Sequence, residues 1–388
     1  MANTIAAALY PNIYAAAFKA ARKQVGFISS VTTDFDGAPL AQRAGEDKNY
    51  ITVPVAGAGT YGAYTPAQVT TVGGNSTDTS IQVQITENNM VAFHLTADEK
   101  RSLDAGADNA KTLFEQKMAM AMETLCDYIE EDIAEDIKSW SSRARGTAGV
   151  TPFASDLSAL TAAMRELDDN GAPSGDRFFI MDAAASEKFM NLAIVQQANV
   201  AASSEFLRQG TLLNHLGFGV KVSRKIAAHT KGTATLYDIV GAPAVGAVTL
   251  TVDGCDAGTM LAGDVVAFAV TDPANYVVRS CVGSGAAVTS IVINKPGLKV
   301  LGVATTEGVT GASYTPNIAM SRSGYILVVR PPAIDPTPIL RTMVVRDSVS
   351  GLPFTICECL GDGLTTWRVH AAWGYTGVNG SSIVTIMG

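Results

Sequence analysis

TADEKRSLDAGADNAKTLFEQKMAMAMETLCDYIEEDIAEDIKSW, residues 96–140, is the stretch whose reading decides the fold. Thr96 followed three residues later by Glu99 is a capping box, which satisfies two orphan amide donors at a helix start. Gly106 interrupts, and Asp108 offers a second cap. Leu113, Met118, Met122, Leu125, Ile129, Ile133, Ile137 and Trp140 then recur at helical spacing. They form one apolar stripe. From Ala107 to Trp140 the helix would run roughly 50 Å at about 1.5 Å per residue. The same stretch carries Glu123, Asp127, Glu130, Glu131, Asp132, Glu135 and Asp136. Helical di-metal sites need Glu-x-x-His motifs, and this stretch has no histidine, so a solvated acidic face is expected. Acids in the C-terminal half oppose the helix dipole, so a cationic neighbour is expected beside them.

Working outward toward the N-terminus, Ile51, Val53 and Val55 alternate with Thr52 and Pro54, and Ile81, Val83 and Ile85 alternate with Gln82 and Gln84. Period two with one apolar side predicts two half-buried strands. Between them Ala56 to Thr77 carries no charge. A hairpin of this length is marginal alone in water, so it is expected to lie on another surface, most economically a second subunit. Residues 2–35 are expected to hold one short helix, with Leu9, Ile13, Phe18 and Val25 on one side and Lys19, Arg22 and Lys23 on another. It packs on its own domain or serves as an arm for a neighbour. The Ala-rich start lacks a basic n-region, and those three cations break any apolar run, so no signal peptide is read there.

Beyond the long helix, Ser155 or Asp156 is expected to cap a helix with Leu157, Leu160, Met164 and Leu167, ending at Asn170-Gly171. Arg177 to Met181 reads as a buried strand, Asp182 as the cap of a helix with Phe189, Met190 and Leu192, and Val220 to Val222 as another strand. From 232 to 318 helical periodicity disappears. Short apolar runs (Val248–Val252, Asp264–Val270, Tyr276–Arg279, Ser290–Ile293, Lys299–Val303) alternate with turn signals such as Asp253-Gly254 and Pro296-Gly297. That spacing predicts a small barrel or sandwich, inserted because the earlier style resumes at Tyr325–Arg330. Leu340–Arg346, Phe354–Cys359, Trp367–Trp373 and Ser382–Met387 complete the strands.

Of the 388 residues, 16% are charged and 47% hydrophobic. A surface so poor in charge points to extensive contact with other protein. The net charge of -8 argues against a dedicated nucleic-acid binder, though not against enclosing nucleic acid. Cys126, Cys255, Cys281, Cys357 and Cys359 follow no zinc spacing and are read as reduced thiols. No apolar run is long enough to span a membrane. His94, His215, His229 and His370 are scattered, no Gly-x-Ser-x-Gly elbow occurs, and Gly217-x-Gly219 lacks a third glycine and leads into a strand. Cys357 and Cys359 flank Glu358 and share a strand face, as buried thiols would. No catalytic, cofactor or metal site is predicted.

Four stretches carry a resemblance: Asn49-Tyr-Ile-Thr-Val-Pro-Val55, His229-Thr-Lys-Gly-Thr-Ala-Thr235, Asn317-Ile-Ala-Met-Ser-Arg-Ser-Gly-Tyr-Ile-Leu-Val-Val-Arg-Pro331 and Trp367-Arg-Val-His-Ala-Ala-Trp-Gly-Tyr375. In their order the chain resembles the major capsid proteins of tailed phages, with the Hong Kong 97 fold. It is most similar to the coat-protein family of Salmonella phage P-twenty-two, which adds an inserted β-barrel. Met320 and Ser321 stand where that family has an aromatic and a His.

The resemblance implies an α+β fold with an N-terminal arm (1–35), an E-loop region (36–95), a spine helix (96–142) and a peripheral and axial domain in two parts (143–231 and 319–388). An inserted β-barrel-like domain (232–318) would separate those parts. It implies a non-enzymatic shell of pentamers and hexamers, built with a scaffolding protein and a portal. The shell would be assembled in the host cytoplasm and would enclose double-stranded DNA without reading its sequence; no cofactor is implied. Tyr61, Tyr64, Val69 and Val72 of the hairpin, with Lys19, Arg22 and Lys23 of the arm, are the expected subunit contacts. An encapsulin-type compartment is the rival within the same fold. An enzyme with a β-accessory domain and a surface adhesin are the rivals from other classes.

Overall fold

The computed structural model describes residues 26–35, 50–55, 79–105, 108–192, 214–234, 236–253, 258–268, 272–284, 287–300, 307–332, 334, 339–347, 349–361 and 363–388. The stretch that opened the reading is two helices, α1 (Ala97–Asp104) and α2 (Asp108–Ile137), followed by one 3₁₀ turn, Lys138–Trp140. The capping box is formed: the Thr96 hydroxyl accepts from the Glu99 amide and the Glu99 carboxylate from the Thr96 amide. Met118, Met122, Leu125, Ile129, Ile133 and Ile137 are buried as the stripe predicts. Leu113 is not: it is 42% exposed, and its neighbour Phe114 turns inward. Phe114 meets the Trp367 ring edge-on at 5.0 Å between centroids, an aromatic contact Leu113 could not supply.

That buried side lies on a six-stranded sheet. It comprises β1 (Thr32–Phe35), β4 (Glu87–Thr96), β16 (Tyr325–Arg330), β17 (Ile339–Arg346), β18 (Pro353–Leu360) and β19 (Leu364–Gly377). β4 pairs with β19 from Leu364 to Trp373. The other edge of β19 is shared end to end by β18 and β16. Trp367, Val369 and Trp373 of β19, Leu327 and Val329 of β16, and Phe354 and Ile356 of β18 pack against α2 in one core. Two of these strands lie outside the sequence reading. β1, parallel to β16, occupies the end of a segment expected to be helical only. β4, ten residues long, has alternating Val91, Phe93 and Leu95 facing that core. Its register to a strand more than 250 residues away sets the pattern.

The predicted hairpin strands are β2 (Tyr50–Val55) and β3 (Thr79–Gln84), antiparallel from Tyr50↔Gln84 to Val55↔Thr79. Their base lies on its own chain: Ile51, Val83 and Ile85 pack on Ile326, Val328 and Ala372. Gly374 permits this close seat, because a Cβ there would stand 2.1 Å from the Gln84 carbonyl oxygen.

A second sheet holds β5 (Arg143–Gly146), β6 (Arg177–Met181), β7 (Asn214–His215), β8 (Phe218–Val222), β15 (Pro316–Ser321) and β20 (Ile383–Met387). α3 (Ser158–Asp169) and α4 (Ala183–Asn191) contribute Leu160, Leu167 and Phe189 to the core on it. Asp182 caps α4 as predicted, accepting from the Ala184 and Ala185 amides. Asp156 accepts from the Ser158 amide at the start of α3.

Six further strands close on themselves: β9 (Leu236–Ile239), β10 (Thr249–Asp253), β11 (Val265–Phe268), β12 (Asp272–Ser284), β13 (Ala287–Ile293) and β14 (Glu307–Thr310). Antiparallel pairing runs β11–β14–β9–β10–β13–β12 and returns to β11. The ring is filled by Tyr237, Leu250, Val266, Phe268, Tyr276 and Ile291. Closure removes free strand edges. Asn275 and Tyr276 of β12 also pair with Ala144 and Arg143 of β5, which ties the barrel to the second sheet. Of the predicted run Lys299–Val303, Lys299 and Val300 form a bend rather than a strand, and 301–303 lie outside the described residues. Pro296-Gly297 turns the chain first, and the Lys299 amide is used by the Tyr276 hydroxyl.

Candidate assembly surfaces

Among the described residues no group of three or more His, Cys, Asp or Glu could hold a metal ion, and no helix is long and apolar enough to cross a membrane. One constellation has the look of chemistry. His229 Nε2 lies 2.8 Å from Asp264 Oδ1, both buried. Asp264 also accepts from the Gly232 and Leu261 amides, and the Tyr314 hydroxyl donates to the Gly263 carbonyl at 2.7 Å. The pair is a staple: it fixes the chain where it enters the barrel, at a glycine whose Cβ would stand 2.1 Å from the Thr259 oxygen. Sequence reading left His229 and Asp264 apart because they are 35 positions distant and share no motif. Cys357 and Cys359 are buried on one face of β18, opposite Arg368 and Thr366.

The acids of α2 form a solvated face only in part: Glu131 and Glu135 are exposed, whereas three others are drawn inward. Glu130 is 4% exposed and accepts from the Phe27 and Ile28 amides (3.1 and 2.8 Å) and from the Ser223 hydroxyl (3.0 Å). Asp132 accepts from the Trp373 indole, and Asp136 from the Tyr325 hydroxyl. Burial pushes all three carboxyls above the ordinary range, against the lowering effect of these hydrogen bonds. The expected cations are present. Arg224 bridges Asp127 and Glu123, Lys225 bridges Glu131, and Arg279, stacked 3.6 Å from the Trp140 ring, lies close enough to lower the Asp136 carboxyl. One side of the helix faces the sheet and another faces the N-terminal turn, so the acids between them become internal ties.

Those ties hold the start of the described chain. Ser29 and Ser30 close a turn on the Gly26 carbonyl. Lys221 donates to the Ser29 carbonyl and hydroxyl, and burial with Arg322 nearby pulls its ammonium down to about 8. Phe27, Ile28 and Val31 enter the core beneath α2. The predicted contacts Lys19, Arg22, Lys23, Tyr61, Tyr64, Val69 and Val72 lie outside the described residues.

β17 ends the sheet on one side, as β1 does on the other, and among the described residues it pairs with β18 alone. Leu340, Met343 and Val344 are 51%, 37% and 54% exposed. The strand contains no proline, lysine or acid, and its charges are Arg341 and Arg346; charged side chains are among the devices that blunt a strand edge.

No protein-family model and no curated protein matches the chain. It is similar to solved structures described as the capsid of a native GTA particle (10% identity, 95% of this chain and 91% of that one, TM-score 0.46) and the capsid of the cyanophage P-SCSP1u (9%, 95% and 89%, TM-score 0.45). A third is a virus-like particle from Pyrococcus furiosus (10%, 97% and 96%, TM-score 0.44).

Proposed function

We propose that this chain is the major capsid protein of a tailed double-stranded-DNA phage, allied to the P-twenty-two coat-protein family. It is a structural protein without catalysis that assembles from pentamers and hexamers with a scaffolding protein and a portal. The observation that carries the reading is the hairpin. Its base, β2–β3, is seated on the subunit's own sheet, on the face opposite the 30-residue helix α2, while the segment joining its strands, Ala56 to Thr77, is without charge. Such a segment gains about 25 cal/mol per Å² of apolar area by lying on a neighbour, and a closed shell repeats that gain at every copy. The four motifs of the resemblance supply the rest, together with a barrel joined to an α+β body. In this reading residues 1–35 are an arm, 36–95 the E-loop region, 96–142 the spine, 232–318 the inserted domain, and 143–231 with 319–388 the remaining body. Excess negative charge suits a wall that confines DNA without binding it.

Negative-stain microscopy of the chain expressed with its scaffold should show hollow shells; small soluble oligomers under every condition would refute the proposal. Deleting Ala56 to Thr77 should leave a folded chain that does not assemble. Loss of folding in that variant would place the segment in the subunit core.

A further inference from the structure

We propose that the cleft where the barrel, the hairpin base and the end of β19 meet binds a small organic oxyanion, a carboxylate or phosphate group on a short apolar frame. Its volume is about 430 Å³, within the roughly 300–1,000 Å³ of small-ligand pockets. Arg279 and Lys295 line it, and no aspartate or glutamate does. In a chain whose acids outnumber lysine and arginine by 36 to 28, a cleft with cations and no acids selects for negative charge. All of its lining comes from one chain, so the site does not rest on the shell reading.

Four side chains supply donors. The Arg279 guanidinium of β12 is stacked 3.6 Å from the centre of the Trp140 ring. Gly377 packs so closely on the same indole that a Cβ there would stand 2.1 Å from it, which fixes the ring and with it the guanidinium. Asp136 acts on Arg279 from a distance, and its own carboxylate is engaged by the Tyr325 hydroxyl. Among the described residues the charged groups of Arg279 and Lys295 make no hydrogen bond or ion pair. Asn379 uses its side-chain carbonyl on the Ser381 amide and hydroxyl. Its N–H groups remain for the cleft, beside those of Gln82. A guanidinium, an ammonium and two amides are rich in donors and poor in acceptors, and charge-assisted bonds to an oxyanion are the strong ones such a set can make. Ile81, Val248, Val292 and Val378 are half-buried walls of the same cleft, so the ligand carries an apolar frame as well as its charge. An occupant touches the barrel (β12 and β13), the hairpin (β3) and β19 together, so binding strengthens their docking.

Saturation-transfer NMR on the full chain tests the site, with butyl phosphate and butanoate as separate probes at matched ionic strength. The parent should bind at least one of them saturably. Saturation by butyl phosphate alone assigns the site to phosphate esters, by butanoate alone to carboxylic acids, and by both to oxyanions of either kind. Lys295→Gln and Arg279→Gln should each weaken binding about tenfold, the effect of losing one charged hydrogen-bond donor. Lys188→Gln, which removes an exposed cation outside the cleft, should leave it unchanged. Saturation by neither probe overturns the proposal. So does an equal loss in Lys188→Gln and Lys295→Gln, which would mean attraction by overall charge rather than a site. Should Arg279→Gln fail to fold without its stack on Trp140, Lys295→Gln still decides, because its side chain is exposed and bonded to nothing among the described residues. The outcome is the same whether or not the chain assembles.

Discussion

Glu130 and Glu131 are adjacent acids on one helix, and replacing each by alanine should have very different consequences. Glu131 is bonded to Lys225 at 2.7 Å with its side chain 56% exposed, and exposed pairs contribute about 0–1 kcal/mol. Glu130 is buried and receives two backbone amides and a hydroxyl. Removing it strands the Phe27 and Ile28 amides in the core at about 1–3 kcal/mol each. Relief of burying a charged carboxyl offsets part of this, leaving a net loss of about 2–4 kcal/mol. Urea unfolding followed by tryptophan emission is a direct assay, since Trp367 and Trp373 pack in the core beneath α2 and Trp140 beside it. The Glu130→Ala variant should lose 2–4 kcal/mol, about the figure above, and Glu131→Ala under about 1 kcal/mol. Equal losses, or a Glu130→Ala loss below about 0.5 kcal/mol, would refute the role assigned to the buried carboxylate as tie between helix and N-terminal turn.

Two further outcomes follow from the same core. Burial raises the Glu130, Asp132 and Asp136 carboxyls in the folded chain, so the folded state binds protons more tightly than the unfolded state. Their contribution to stability is full below the ordinary carboxylate range near pH 4 and is lost as pH rises through the higher folded values. The stability of the parent relative to a Glu130→Gln, Asp132→Asn, Asp136→Asn variant should therefore fall as pH rises above the ordinary carboxylate range near pH 4; a difference that rises would show the sign is wrong. Ile133, fully buried in the stripe, should not tolerate aspartate. Lost burial costs about 2–5 kcal/mol before the charge is counted, against a typical total of about 5–15 kcal/mol. Soluble, folded Ile133→Asp protein by circular dichroism would mean the stripe faces the wrong way.

What local sequence determines here is whatever a residue's nearest neighbours in the chain decide. The capping box at Thr96, the buried run from Met118 to Ile137, the hairpin strands, and Arg177–Met181 and Tyr325–Arg330 were all legible, because period and capping are local signals. The acids of α2 were not. A carboxylate looks the same in sequence whether it meets water or the amides of Phe27 and Ile28, about a hundred positions away. Separation along the chain likewise hid β4 against β19, the pairing of β9 with β14 that closes the barrel, and the staple between His229 and Asp264. Whether Leu113 or Phe114 turned inward depended on a tryptophan that only the folded sheet brings alongside. The place of β17 belongs to the same class: Leu340–Arg346 reads as one more strand, and only the order of strands leaves it at the sheet's end among the described residues. Sequence determined most of the helices and strands, β1 and β4 excepted, since those rest on backbone geometry and local burial pattern. Tertiary structure alone decided which polar groups are buried and which strands pair, because both depend on what the rest of the chain places across the gap.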